Sequence, residues 1–261
     1  MAAAVSRSYR DRGVVLRTQR LGEADRIVTL LLEGRGLTRA SAKGVRRPGS
    51  RIGARLEPFA VVDVELHRGR TFEVVRQVET VEANAALRTD DRLWAAASVL
   101  AEVVLHVAVE GERDHELQRL LRAGLAALAA APDDPSVFVD AFLLRAAAVV
   151  GFPIRTTVCA RCRAPGPHEH LSVVGGGTVC ADCAGEATQR VPAGVVAAVR
   201  TLAEDGAWQA LPALAREAGP DRARAGAYAR AYAEHHLDRR LRSYDAVERP
   251  DDGPGPDRVD E

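Results

Sequence analysis

At 261 residues the chain exceeds the usual single-domain size of about 100–150 residues, so two domains, or one domain with an insert, are expected. Its formal net charge of zero excludes a uniformly basic nucleic-acid binder, yet residues 1–80 hold 16 Lys+Arg against 9 Asp+Glu, net +7, and the rest holds 20 against 27, net −7. No stretch approaches the about 18 uninterrupted apolar residues of a membrane-spanning helix, and Met1–Ser8 lacks the apolar segment of a secretion signal, so a soluble cytoplasmic protein with no membrane partner is expected.

From Arg12 to about Val81 the pattern predicts short strands at Val14–Thr18, Ile27–Leu32, Leu37–Ala42, Val61–His67 and Phe72–Val78. Val62, Val64 and Leu66 alternate with Asp63, Glu65 and His67, the pattern of an antiparallel strand with one packed and one wet face. Ile27–Leu32 is apolar on both faces and reads as a central strand, and His67-Arg68-Gly69-Arg70 reads as a hairpin turn. Five antiparallel strands in about 70 residues have the size of an OB-fold, a Greek-key barrel whose open face commonly binds single strands; residues 1–81 are assigned to it. Between the third and fourth strands, Lys43-Gly44-Val45-Arg46-Arg47-Pro48-Gly49-Ser50-Arg51 places four cations in nine residues. Mutual repulsion keeps such a loop exposed, and phosphates would relieve it while releasing counterions. Lys43 is the only lysine, so clustering carries more weight than any single arginine.

After Val81 the period changes to that of helices, with Asp90–Val109, His115–Ala131 and Ser136–Val150 bounded by Gly111, by the turn Pro132-Asp133-Asp134-Pro135 and by Gly151-Phe152-Pro153. Leu93, Ala96, Ala97, Leu100, Val103 and Val104 mark one buried face. Residues 154–190 lose the helical period, and Val195–Leu202, Ala207–Ala218 and Arg222–Leu241 resume it. Residues 82–244 are therefore a helical domain with an insert at 154–190, and the overall class is α+β in two domains. From Asp245 to Glu261 seven acidic residues face only Arg249 and Arg258, a composition too polar to offset its ordering entropy, and a disordered acidic tail is expected over 245–261.

Within the insert, Cys159-Ala-Arg-Cys162 and Cys180-Ala-Asp-Cys183 are two CxxC knuckles 17 residues apart, inside the spacing of zinc ribbons. Four thiolates complete a tetrahedral shell with no position left for water, so one structural Zn²⁺ per chain is expected on Cys159, Cys162, Cys180 and Cys183. Gly175-Gly176-Gly177 precedes the second knuckle where a tight hairpin needs permissive backbone. His168 and His170 read as exposed loop residues, since four cysteines already satisfy an ion.

The segments Gly13-Val-Val-Leu-Arg17-Thr, Leu21-Gly-Glu23-Ala-Asp25-Arg26-Ile-Val, Ala42-Lys43-Gly44-Val-Arg46-Arg47 with Ser50-Arg51, and Leu56-Glu-Pro58-Phe59 resemble the RecO family in order and spacing. The resemblance runs over roughly residues 9–240 and fades in the last helices. It implies an N-terminal OB-fold, a helical C-terminal domain with a zinc-binding element, binding of single- and double-stranded DNA, and strand annealing. It also implies a complex with RecR and contact with single-stranded-DNA-binding protein, so that RecA can take over the strand near the nucleoid. Carried over by position, Lys43, Arg46, Arg47 and Arg51 are the first DNA-binding candidates, with Arg12, Arg17, Arg20, Arg26, Arg35, Arg39 and Arg55 as extensions. Some family members lack the cysteines, so the metal is read as a support of the fold.

Tyr9, Phe59 and Phe72 are the only aromatics of the N-terminal segment, and Phe59 and Phe72 are expected in the core. With stacking worth about 1–3 kcal/mol per base, their scarcity predicts affinity drawn from phosphates and a steep salt dependence. An enzyme is disfavoured: Glu23 and Asp25 have no third partner, Asp25 is more simply an ion pair with Arg26, His106 sits on an apolar helix, His235 and His236 are expected to be exposed, and no nucleophile elbow, HExxH or P-loop occurs. The remaining rival is a zinc-ribbon adaptor that docks proteins without touching DNA.

Overall fold

The computed structural model describes residues 7–47, 49–130, 133–217 and 219–248. Pro48, the predicted helix ends at Ala131 and Ala218, Pro132, and the tail over 249–261 lie outside the described residues.

Strands β1 (Ser8–Leu21), β2 (Asp25–Leu32), β3 (Gly36–Ala42), β4 (Val61–His67) and β5 (Glu73–Glu82) close a barrel in the order β1-β2-β3-β5-β4, and a short helix α1 (Arg51–Arg55) lies between β3 and β4. The expected five-stranded barrel is therefore present, in an α+β chain whose remainder is mainly helical. β1 is much longer than Val14–Thr18 because it serves two neighbours: its first half pairs with β4, from Ser8↔His67 to Val14↔Val61, and its second with β2, from Gly13↔Leu32 to Leu21↔Asp25. The register slips between Val15 and Arg17, and a bulge there bends the strand from one sheet direction to the other. One junction departs from the all-antiparallel expectation. β3 meets β5 in parallel, Ala40 against Glu73 and Ser41 against Val74, because β5 must return past β4 to close the ring.

Val15, Val28, Leu30, Leu32, Ala40, Val62, Val64, Leu66, Val75 and Val78 fill the barrel. Residues of opposite parity on the same strands, Val14, Leu16, Leu31 and Val61, are equally buried but belong to the helical core. That is why β2 is apolar on both faces: one face lines the barrel and the other is covered by helices. Each such Leu or Val stabilises by about 1.5–3 kcal/mol when fully buried.

The helical part comprises α2 (Ala86–Thr89), α3 (Asp91–Val107), α4 (His115–Ala130) and α5 (Ser136–Val149), then strands β6 (His170–Ser172), β7 (Gly177–Val179) and β8 (Gln189–Arg190), then α6 (Ala193–Ala203), α7 (Leu211–Arg216), α8 (Pro220–His236) and α9 (Tyr244–Glu248). The Asp90 carboxylate starts α3 by accepting from the amides of Arg92 and Leu93 at 2.9 and 3.4 Å. Every residue from Val137 to Ala147 of α5 is buried, which makes it the central helix of the bundle. Ala207–Ala218 is not one helix: a 3₁₀ turn at Ala207–Ala210 precedes α7, whose first turn holds Pro212. The helix expected to Leu241 ends at His236, because Asp238 turns to φ 50° and the chain folds back to bury Leu241. Residues 245–248, given to the tail on composition, are helical because buried Tyr244 anchors them and its hydroxyl donates to Asp140 at 2.5 Å.

The barrel and the bundle pack directly. Phe59 meets Trp94 edge to face at 5.1 Å, the Gln118 amide reaches the Leu31 carbonyl at 3.5 Å, and Arg122 bridges Glu33 and Glu82 at 3.3 and 2.5 Å. Among the described residues no helix is long and apolar enough to cross a membrane.

Candidate functional site

The cationic loop leaves β3 at Lys43 and is pinned to the turn between β1 and β2. The Gly44 amide donates to the Asp25 carboxylate at 2.7 Å, the Arg46 amide to the Ala24 carbonyl at 3.0 Å, and the Arg46 guanidinium to the carbonyls of Gly22 and Glu23, each at 3.2 Å. Asp25 is thus a loop anchor and not the partner of Arg26, which pairs with Glu57 at 3.2 Å. Ser50 caps α1, accepting from the Gly53 amide at 3.2 Å, and sets Arg51 on the first exposed turn. Lys43, Arg47 and Arg51 are exposed, and among the described residues none has an ion-pair partner. No ion pair has to be broken before their charge meets an anion.

The other predicted cations divide by place. Arg20 sits opposite Arg26 across the β1–β2 pair, beside the loop, and Arg55 on α1 is tied to the Val78 carbonyl at 2.8 Å. Arg17, Thr29 and Arg39 stand in register across β1, β2 and β3, the two arginines exposed and Thr29 between them buried. Arg39 makes an exposed pair with Glu110 at 3.2 Å, of the kind worth little to stability. Two candidates lie elsewhere. Arg12 forks onto Asp63 at 2.7 and 2.9 Å on the β4 side, which holds the Asp63 carboxyl below its ordinary range, and Arg35 stacks over Tyr9 at 4.1 Å from the β2–β3 turn.

Two exposed arginines in the β4–β5 turn, Arg68 and Arg70, were not among the candidates. A Gly between two cations was their signal in the sequence, absorbed there by the hairpin reading. Phe59 is in the core as expected, at 2% exposure. Phe72 is not: it is half-buried, packs on neither hydrophobic core among the described residues, and has the Arg39 guanidinium 5.6 Å from its ring centre.

The cysteines are brought together by β6, β7 and β8, which form a small sheet in the order β7-β6-β8. Residues 173–176 make the hairpin, and Gly177 at φ 140° lies so close to Arg155 that a β-carbon would come within 2.0 Å of its carbonyl oxygen. The four sulfurs lie within 4.8 Å of one another, and Cys162 and Cys180 are 3.7 Å apart. A tetrahedron of sulfurs about 2.3 Å from a central ion has edges of about 3.8 Å, so this donor set fits a metal ion. Backbone amides, chiefly that of Cys162 and also those of Cys180 and Arg161, hold the Cys159 thiol down to about 5. Cys183 is pushed up to about 12, first by its hydrogen bond to Cys180 and then by that to Cys162. One thiolate therefore forms readily while Cys162 and Cys183 hold their protons more tightly, the condition a divalent cation reverses. His168 and His170 are half-buried, not exposed; His168 lies 3.0 Å from the Ala164 carbonyl and braces the first knuckle. His236 is likewise covered, stacked on Tyr232 at 4.2 Å and bonded to the Val173 carbonyl at 2.9 Å.

Residues 6–84 match the family described as "Recombination protein O N terminal" and residues 88–245 match "Recombination protein O C terminal". The chain belongs to the RecO family of DNA repair proteins. A curated RecO relative, "DNA repair protein RecO" of Thermobifida fusca (strain YX), is 44% identical over 245 residues, 92% of this chain and 98% of that relative. The RecO match covers the barrel, the bundle and the four-cysteine module alike.

Proposed function

We propose that the chain is a non-enzymatic recombination mediator that binds single- and double-stranded DNA through the cationic end of its barrel and anneals complementary single strands. With RecR it helps load RecA onto DNA coated by single-stranded-DNA-binding protein, in the cytoplasm at the nucleoid. One observation carries the reading: the backbone bonds of Gly44 and Arg46 gather Lys43, Arg46, Arg47 and Arg51 on one end of the barrel beside Arg20. Cations held there neutralise phosphates without ordering a long flexible segment, and each phosphate neutralised on a single strand adds about −0.7 to the slope of log affinity against log salt. Annealing follows from the same chemistry, because two strands whose phosphates are screened approach with less repulsion while their bases stay free to pair.

The cysteines would hold one zinc ion as a cross-link. Bound by four thiolates it offers no open position, so it supplies folding energy to residues 154–190 and no reactive water. Lys43, Arg46, Arg47 and Arg51 carry the activity; the module supports the helices that pack on the barrel.

Filter binding and strand annealing at about 50 and about 200 mM salt test the reading. Reversing Arg46 and Arg47 to Glu is expected to weaken binding of single strands about 10- to 100-fold and to flatten the salt slope by about 1.4, two phosphates' worth. Wild-type affinity in that variant would displace the site from the loop, and a wild-type protein that binds no DNA would leave the adaptor reading in its place.

A further inference from the structure

Phe72 is a ring outside any core, set among cations. Thr71 and Phe72 close the β4–β5 turn, where Gly69 sits against the Phe72 carbonyl so closely that a β-carbon would meet it at 2.0 Å. The tight turn puts Arg68 and Arg70 on the surface two to four residues before the ring, both exposed and without an ion-pair partner among the described residues. On the other side, the register row of Arg17, Thr29 and Arg39 has its two arginines exposed on either side of buried Thr29 and ends with the Arg39 guanidinium 5.6 Å from the Phe72 ring centre. The ring is only partly covered and joins neither hydrophobic core, and one cation–π contact at a surface site is worth only about 0.5–1 kcal/mol. The arrangement makes physical sense if something flat covers the ring while phosphates meet the arginines.

We propose that Phe72 is the base-stacking position of a single-strand path that runs from the loop at Lys43–Arg51 across Arg17 and Arg39 to the β4–β5 turn. An unpaired nucleobase lies on the Phe72 ring, Arg39 exchanges its exposed partner Glu110 for the adjoining phosphate, and Arg68 and Arg70 take the next phosphates. A base inside a duplex is already stacked on both faces and cannot cover the ring, so this position selects single strands. The inference rests on the DNA-binding reading above and adds to it the element that distinguishes an unpaired strand from a paired one.

The test compares Phe72→Ala, Phe72→Trp and the Arg46→Glu/Arg47→Glu pair in the full chain, each titrated with a thymidine oligonucleotide and with a duplex of equal length over a range of salt. Phe72→Ala is expected to lose about 5- to 100-fold in single-strand affinity with an unchanged salt slope and unchanged duplex affinity. Phe72→Trp is expected to retain or gain affinity. Because the ring lies outside both cores, thermal melting of Phe72→Ala should match that of the parent, and a large drop would place the ring in the fold and overturn the inference. Equal losses on single strand and duplex, or no loss on either while the Arg46/Arg47 pair is impaired, would overturn the stacking position and leave the cationic-loop reading intact. Failure of the Arg46/Arg47 pair to change anything would strike the broader reading instead.

Discussion

The barrel and the four-cysteine module are both built from short strands, but they hold together by opposite means. The barrel closes on itself, leaves few sheet edges, and buries eleven Val, Leu and Ala side chains of its strands inside, while Val14, Leu16, Leu31 and Val61 on its outside are buried by the helices. The module has strands of three, three and two residues and contributes only a few buried apolar groups, among them Leu171, Val179 and Cys159. A sheet of that size does not stand on apolar burial. The comparison teaches that the first region is built around an apolar interior of its own and can present charge outward, whereas the second has little such interior and instead gathers four sulfurs that could hold a metal ion.

The largest expected effect breaks the module alone. Replacing Cys183 with Ser, or stripping the metal with a chelator, removes a cross-link of the kind that contributes about 10–16 kcal/mol of binding free energy in zinc-finger peptides. Amide hydrogen exchange should then show loss of protection over 154–190 with protection of β1–β5 retained, and elemental analysis should fall from one metal ion per chain towards none. Collapse of the barrel in the same experiment would mean that the two regions are not separable in stability.

A smaller effect probes the seam between barrel and bundle. Arg122→Ala removes the bridge to Glu33 and Glu82, groups roughly one-third exposed, so a loss of about 1 kcal/mol is expected in urea unfolding. If DNA affinity falls along with stability, the seam also orients the cationic end; if only stability falls, it is a clasp.

An effect of similar size at neutral pH, and smaller in acid, lies wholly on the bundle side. Asp90→Ala should cost about 1 kcal/mol at neutral pH by removing the cap of α3. The Asp90 carboxyl is held below its ordinary value first by its bonds to the Arg92 guanidinium, then by the amides of Arg92 and Leu93. A carboxyl depressed in the folded state stabilises above the unfolded pKa of about 4 and loses that contribution as pH falls through the lower folded value. The stability gap between parent and variant should therefore be constant above about pH 5 and shrink below pH 4; a gap that stays constant in acid would assign the effect to helix propensity instead.

Elements with strict period were legible from residues alone. Val61–His67 alternates apolar and polar, and the strand has those bounds; α3, α4 and α5 end within two residues of the ends that apolar spacing and the Gly and Pro breaks predict. Where a tertiary partner sets the outcome, the residues mislead. Phe72 reads as core by its chemistry, yet it lies where neither core reaches. Asp25 reads as the partner of its neighbour Arg26, but the amide of Gly44, nineteen residues away, is the donor it meets. His236 reads as exposed on a charged helix, and Phe152 and Tyr232 cover it.

By itself the sequence determined that the five barrel strands and the helices α3, α4 and α5 form, that four thiols pair by CxxC spacing, and that positive charge gathers near residues 43–51. All three are local properties, fixed by backbone period, turn chemistry and short separation along the chain. Only the tertiary structure decided where the other cations go: it set Arg20 opposite Arg26, spent Arg12 on Asp63, carried Arg35 to Tyr9, and brought Arg39 to Phe72. The reason is that strand register and barrel closure join residues tens of positions apart, and no local pattern encodes which side chain a closed sheet will place beside another.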